Sequence, residues 1–440
     1  MRVLFVYVNI ESHNIKHFPQ GIGILSAVIK QHGHVSDLYY LNEEISADLL
    51  LDQVARFDPH LIAFSVVTSQ WAMVKKYAAL IKARFPTPII CGGAHPTFDP
   101  EGVLRDPAVN LVCVGEGEYP LVELLEAMGK GGDITAIPNI WVKNAAGQFF
   151  RNQIRRLIPE LDKLPFSDRG IMDYQAIVDG CNTEPVIMSS RGCPYNCTFC
   201  SNSAIKRLYK GKGVYVRQRS PENLLAEIRT MRQKYTFNGI NFYDECFGYN
   251  KEWITRFCAL YKAEFRYPFG CFIRAEASDK ETFKMMADAG LSLIYIGIES
   301  GNEELRRNVL NRKVGDARII RACREAQEAG IQVWTFNLVG VPGETVATID
   351  EAMALNRLIN PHFVSISIFQ PLPGTRLHEI CVDNNYIKSD YKGFYEGSSL
   401  ELPTISNDDL IRKYHEFQAL SRELKVQHEA KGERLFLADV

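Results

Sequence analysis

Long apolar runs are missing from this chain of 440 residues; none approaches the roughly 18 residues of a membrane helix. An excess of one charge is missing too. Lys and Arg total 50 and Asp and Glu 52, so the basic surplus that would suggest wrapping of nucleic acid is not there. No G-x-x-x-x-G-K-[ST] occurs, which removes a P-loop. The first loop, NIESHNIKHFPQG, lacks a tight G-x-G-x-x-G turn, which makes a dinucleotide site a poor expectation. Internal repeats and low-complexity tracts are absent. The cysteines number eleven, an odd count, and Cys91, Cys113, Cys258 and Cys323 stand singly in apolar patterns. Reduced core thiols look like that and a disulfide framework does not, so a cytosolic location is expected. The opening MRVLFVYVNIESHN has only a short apolar run with no small-residue cleavage site after it, and reads as a first strand.

What the chain does have is alternation. Up to about residue 134, apolar runs (VLFVYV, HVSDLYYL, LIAFSVV, PIICGG, NLVCVGEGE) alternate with amphipathic ones such as GIGILSAVIKQHG and WAMVKKYAALIKARF. Apolar strands separated by helices predict a buried parallel sheet, here a Rossmann-like or flavodoxin-like domain over 1–134. Ligands of such sheets sit at the carboxyl ends of the strands. Residues 135–183 read as a small hairpin, NIWVKNAAGQFFRN, and an irregular linker. A second alternation fills 184–375, with strands at VIMSS, INFYDE, GCFIRA, LIYIGIE, QVWTFNLVG and FVSISIFQ. Six βα units suit a barrel, complete with two further strands or open with six. Residues 376–440 are polar and helical and are expected to cap it.

The informative stretch is MSSRGCPYNCTFCSN, which puts Cys193, Cys197 and Cys200 within eight residues, just after the first barrel strand. Gly192, Pro194 and Asn196 make a tight loop that can turn three sulfurs to one point. Three readings compete. Unliganded thiols clustered in a loop would be prone to oxidation. Structural zinc wants four ligands in paired knuckles, and only Cys181 or Cys271 could complete the set. The third is a [4Fe–4S] cluster with three irons tied to protein, although such clusters usually take four thiolates. Leaving one iron free is useful only if a substrate or cofactor binds there.

C-x₃-C-x₂-C after the first strand of a partial barrel resembles the radical S-adenosylmethionine (SAM) superfamily. The resemblance implies that the open iron chelates the methionine end of SAM, and that reductive cleavage yields a 5′-deoxyadenosyl radical that takes hydrogen from a substrate. It implies further contacts to SAM. Phe199 would abut the adenine. Asp244 or Glu245, in FYDECF, would meet the methionine amine, and Arg274, in IRAEA, a carboxylate. Glu299, in IGIESG, would meet the ribose or amine; Gly340, in NLVGVPGET, the adenine; and Gln370, in FQPLPGT, would also lie at SAM. These segments fall at the carboxyl ends of successive predicted strands.

The domain order resembles a narrower group, the radical SAM enzymes with a cobalamin (B12)-binding domain, through GIGILSAVIKQHGHV, CGGAHPTFDPEGVL and VGEGEYPLVELLEA. That implies cobalamin at Gln20, Gly21, Ser65, Thr68, Gly92, Gly93, Gly115 and Glu116. Glycines there would let the macrocycle lie against backbone. The D-x-H-x-x-G motif of many B12 domains is absent, since neither His13 nor His17 is followed by Gly three residues on. The implied cofactors are a [4Fe–4S] cluster, SAM and cobalamin. The implied activity is methylation of an unactivated carbon of a small molecule or peptide. An external one-electron reductant of flavodoxin or ferredoxin type would feed the cluster. Ring formation or rearrangement is the alternative. A methylthiotransferase would need three more cluster cysteines in the N-terminal domain, which offers only Cys91 and Cys113.

Overall fold

The computed structural model of the protein describes residues 1–10, 17–43, 47–180, 185–389 and 392–433; His13 and Cys181 lie outside them. The chain divides into two compact units: Met1–Cys181 with Ala204–Tyr215, and Asn182–Ser203 with Val216–Val440.

In the first unit, strands β1 (Arg2–Val8), β2 (Val35–Leu41), β3 (Leu61–Ser65), β4 (Ile89–Gly92) and β5 (Leu111–Cys113) pair in parallel in the order β2-β1-β3-β4-β5. This is the flavodoxin-like order, which reverses between β1 and β3 and so opens a crevice at their carboxyl ends. Strands β1, β3 and β4 are apolar and buried on both faces: Leu4, Val6, Ile62, Phe64, Ile89 and Cys91 share one core, and Val3, Phe5, Ala63 and Ile90 between them are buried as well. The expected hairpin forms as β6 (Ile140–Lys143) and β7 (Phe149–Phe150). Asn144 closes its turn, accepting the backbone N–H of Ala146 and of Gln148 at its side chain. Read from sequence as part of a connector, the hairpin instead pairs antiparallel with β5 and extends the first sheet.

The second unit begins with β8 (Val186–Ile187), followed by a two-stranded antiparallel pair, β9 (Ser190–Arg191) and β10 (Arg217–Gln218). Then come β11 (Ile240–Phe242), β12 (Phe269–Ile273), β13 (Leu291–Glu299), β14 (Gln332–Val339) and β15 (Phe363–Ile368). Six strands pair in parallel in chain order, β8-β11-β12-β13-β14-β15, and β8 and β15 are the two edges. The open, six-strand alternative is therefore the one adopted. Along β14 and β15 the side chains facing the helices (Val333, Thr335, Val339, Val364, Ile366, Ile368) are buried, whereas Phe336, Leu338, Phe363, Ser365 and Ser367 on the other face are half-exposed. That alternation is the mark of a sheet closed on one side only. The helix Asn407–Ala430, capped by Ser406, packs Tyr414, Phe417, Leu420 and Leu424 into the same core as Val364, Ile366 and Ile368. It therefore forms part of the outer helical layer over β15. No helix among the described residues is long and apolar enough to cross a membrane.

Candidate functional site

In the second unit the cysteine loop follows β9, at the carboxyl end of the sheet. Backbone bonds clamp it: Thr198 N–H donates to Leu310 O at 3.2 Å, Leu377 N–H donates to Thr198 O at 3.0 Å, and the Asn311 side chain donates to Asn196 O at 2.8 Å. All three cysteines are free thiols. Burial pushes Cys193 up and Cys200 up to about 11. Thiols so desolvated ionise only against a positive partner or a metal. Arg274 supplies one: its Nη1 donates to Cys197 Sγ at 3.2 Å, and its guanidinium stacks 3.9 Å from the Tyr195 ring centroid. Glu276 holds the same guanidinium from behind, accepting Nη2–H at 2.6 Å and Nε–H at 3.3 Å. Arg274 is thus directed at the cysteine loop. Tyr195 and Glu276, which fix it there, carry no signal in the sequence.

A single tetrahedral ion with bonds of about 2.3 Å would draw its sulfurs to within roughly 4 Å of one another. Among the described residues, the group whose ligand atoms lie within 4.8 Å of each other is His362, His428 and Glu433, and the three thiols do not converge that closely. Cys271, the other candidate zinc ligand, is fully buried and pushed well above the ordinary thiol range.

The carboxylates differ in their partners. Asp244 is buried; its Oδ1 accepts from Ser189 at 3.0 Å and from Ser190, while Oδ2 is buried without any partner. Burial pushes its carboxyl up to about 6 against the two serine bonds. Glu245 is also raised by burial, but accepts from Asn202 and from the Gly192 backbone. Glu299 stands at a bulge between β13 and β14 with φ 70° and faces Arg312 Nη1 at 3.5 Å. Burial raises its carboxyl, and Arg312 and then Arg274 oppose the rise. Phe199 is half-buried against the core of the last two strands. The Gly340 N–H donates to Glu344, a buried carboxyl that sequence reading passed over as part of a turn. Gln370 does not present its amide to the site. It donates to Gly393 O at 2.8 Å and Gly397 O at 2.7 Å and accepts from Ser399 at 2.9 Å, which ties down the C-terminal segment.

In the first unit two of the named glycines, Gly93 and Gly115, are required by the protein's own packing. A side chain at Gly93 (φ 101°) would meet Val66 backbone at 2.8 Å, and one at Gly115 (φ 82°) would meet the Tyr209 hydroxyl at 2.0 Å. Tyr209, in the Ala204–Tyr215 segment of that unit, accepts the Glu116 N–H at 2.8 Å, and the Glu116 carboxylate accepts Ile158 N–H at 3.0 Å. Gln20 accepts from Ser167 at 3.1 Å. Gly21 has open space around its α-carbon, and Ser65, Thr68 and Gly92 are half-buried at the ends of β3 and β4. His17 lies against Tyr7 and Asn9, its Nε2 2.9 Å from the Tyr7 hydroxyl. His95, which the glycine-centred reading missed, is 5% exposed and lies tilted against Trp71 with ring centroids 5.3 Å apart, and neither of its ring nitrogens has a partner. A neutral imidazole carries one N–H, so that donor lacks an acceptor within the protein. Cys91 and Cys113 are buried core thiols, Cys113 pushed up to about 12.

The Radical SAM superfamily model matches residues 187–355, and the B12 binding domain model matches residues 8–125. The chain is a radical SAM enzyme with a B12-binding domain. It is 26% identical over 374 residues to an uncharacterized methyltransferase of Pyrococcus horikoshii, covering 84% of this chain and 79% of that one. It is 22% identical over 395 residues to the anaerobic magnesium-protoporphyrin IX monomethyl ester cyclase of Rubrivivax gelatinosus, covering 86% and 70%. Its fold is shared with the radical SAM methyltransferase TsrM of Kitasatospora setae, solved with cobalamin and a [4Fe–4S] cluster, at a TM-score of 0.75 and 16% identity over 96% of this chain and 88% of that one. The matched pair of domains implies a [4Fe–4S] cluster, SAM and cobalamin as cofactors. The chain's residues fit that set: three clustered free thiols, an unpartnered carboxylate oxygen on Asp244, and an unpartnered imidazole on His95.

Proposed function

We propose that this enzyme methylates an unactivated carbon of a small-molecule or peptide substrate in the cytoplasm, fed by an external one-electron reductant of flavodoxin or ferredoxin type. The observation that carries the reading is the clamped loop of Cys193, Cys197 and Cys200, a three-thiol set with the Arg274 cation against one sulfur. The bound cofactors would supply the hard chemistry, a 5′-deoxyadenosyl radical from SAM to abstract hydrogen and methylcobalamin to deliver the methyl group.

The protein's part is binding and placement. Cys193, Cys197 and Cys200 hold the cluster, and Arg274 places its guanidinium against the Cys197 sulfur. The free Oδ2 of Asp244 receives the methionine ammonium of SAM. Glu299 faces the ribose, held by Arg312, while Phe199 and the turn at Gly340 flank the adenine. Cobalamin rests on Gly21, Ser65, Thr68 and Gly92, and His95 donates to one of its polar groups. Gln20, Gly93, Gly115 and Glu116 shape the loops beneath it. Residues 1–134 and 184–375 are the two cofactor domains.

The test is an anaerobic incubation of the reconstituted enzyme with cobalamin, methyl-labelled SAM and a chemical reductant. Both 5′-deoxyadenosine and label on the corrin should appear. Without deoxyadenosine the radical reading fails. Deoxyadenosine without corrin label would favour ring closure, the second reading, which the similarity to the Rubrivivax cyclase supports.

A further inference from the structure

The inner face of the open barrel carries an aromatic belt that the cofactors do not account for. In parallel strands the register decides which residues share a level. Here Phe272 pairs with Tyr295, Tyr295 with Trp334, and Trp334 with Phe363. Tyr243 follows β11, whose last residue, Phe242, pairs with Cys271; that puts Tyr243 level with Phe272. Five successive strands therefore each place an aromatic ring at one height. The rings touch in sequence: Tyr243 to Phe272 at 5.5 Å, Phe272 to Tyr295 at 4.5 Å, Tyr295 to Trp334 at 5.6 Å and Trp334 to Phe363 at 4.7 Å. Phe336, one level nearer the cysteines, meets Phe272 at 5.8 Å and Tyr295 at 6.0 Å.

A barrel interior that serves only as core is filled with branched aliphatic side chains and sealed. This one is neither. Tyr243 is 46% exposed, and Phe272, Phe336 and Phe363 are half-exposed. Trp334 is 95% buried by its 5% exposure, and its indole N–H has no acceptor. A buried donor left without a partner is uncommon and marks a place where something else accepts. Arg274 lies next along the same inward face as Phe272, and its guanidinium reaches Cys197, so the belt lies one level below the charged groups of the proposed SAM site.

We propose that this belt is the wall of the substrate site and that the substrate is a flat aromatic or conjugated ring system with a hydrogen-bond acceptor at its deep edge. The proposal rests on the reading of the cysteine loop as the radical-generating centre, and it adds the chemical class of the molecule presented to that centre. The ring packs against Phe272, Tyr295 and Phe336, and its acceptor takes the Trp334 N–H. Offset and edge-to-face ring contacts reward a planar aromatic guest and offer little to a flexible aliphatic chain.

Binding without turnover tests it, on the full-length, reconstituted enzyme by calorimetry. Quinoline, which has a ring nitrogen acceptor, and naphthalene, which has none, are the probes, and tetramethylammonium is the cationic control. Wild type should bind quinoline saturably and more tightly than naphthalene. Trp334→Phe should weaken quinoline by roughly tenfold, the worth of one hydrogen bond, and leave naphthalene within about twofold. Phe272→Leu and Phe336→Leu should weaken both aromatic probes. Iron content confirms that each variant carries its cluster. The proposal is overturned by affinities that do not change across the variants, by absence of saturable binding of either ring, or by preference for tetramethylammonium. Any of those results in protein that retains iron and makes 5′-deoxyadenosine sinks this proposal alone; wild type that holds no iron sinks the reading beneath it.

Discussion

Glu344 offers a sharp test of the electrostatics beside the proposed adenine turn. Its carboxylate accepts the N–H of Gly340 and, at 3.3 Å, of Val341. Burial lifts its pKa from 4.5 to about 8, and the two amide donors pull it only part of the way back. The sign follows from linkage. Below pH 4.5 the group is protonated in folded and unfolded chains alike and contributes no pH dependence. From there to pH 8 the unfolded chain releases a proton that the folded chain keeps, so stability falls as pH rises, by about 1.4 kcal/mol per pH unit. Above pH 8 the loss is complete, at roughly 5 kcal/mol. Glu344→Gln keeps the shape and an accepting oxygen but does not titrate. Allowing for the approach to the folded midpoint, wild type should lose about 2 kcal/mol relative to the variant between pH 6 and pH 8. For a unit of this size that is a difference of about 4–8 °C in unfolding midpoint. Scanning fluorimetry of the metal-free protein and the variant at both pH values measures it. Parallel midpoints at pH 6 and pH 8 would falsify the claim that Glu344 is held protonated, and a shift of opposite sign would show a carboxylate stabilised by its amide donors.

Four further outcomes are expected. Cys197→Ala should lose its iron and all SAM cleavage while keeping cobalamin. Cys246→Ser should keep its iron, because that thiol, buried and pushed up to about 12, stands outside the tripod; iron lost from Cys246→Ser would mean a fourth thiolate and no open position for SAM. His95→Phe should weaken cobalamin binding by roughly tenfold, the loss of one buried hydrogen bond, read by titration of the corrin absorbance; unchanged affinity would remove His95 from the site. His362 is buried facing His428, Glu433 and Lys431, and its pKa is pushed down to about 4, first by burial and then by His428. Its contribution is present above pH 6.5 and lost as pH falls toward 4, a decline of about 3 kcal/mol. That decline should be missing from the pH–stability curve of His362→Phe; if the variant declines as wild type does, His362 is not the titrating group.

The residue spacing was enough to bring three thiols together. Three cysteines in eight residues lie close whatever the rest of the chain does, because a short loop cannot separate them. Apolar runs alternating with amphipathic ones were enough for two parallel sheets, since a strand buried on both faces must be apolar throughout. The sequence was silent where a side chain's partners come from distant segments. Arg274 was expected to meet a carboxylate of SAM, and it bonds Cys197 because Glu276 and Tyr195 fix its direction. Gln370 was expected at SAM, and its amide is committed to Gly393, Gly397 and Ser399. Gly93 and Gly115 stood at the right turns, but Val66 and Tyr209 fill the space that their missing side chains leave.

By itself the sequence determined the close spacing of three thiols, the order of the two domains and the strands of the two parallel sheets, because each is a matter of local spacing and periodicity. The tertiary structure alone decided which buried polar atoms stay unpartnered, on Asp244, His95 and Trp334, and that rings from five separate strands stand at one level. Both depend on register and packing between segments tens of residues apart, and no short window of sequence contains that information.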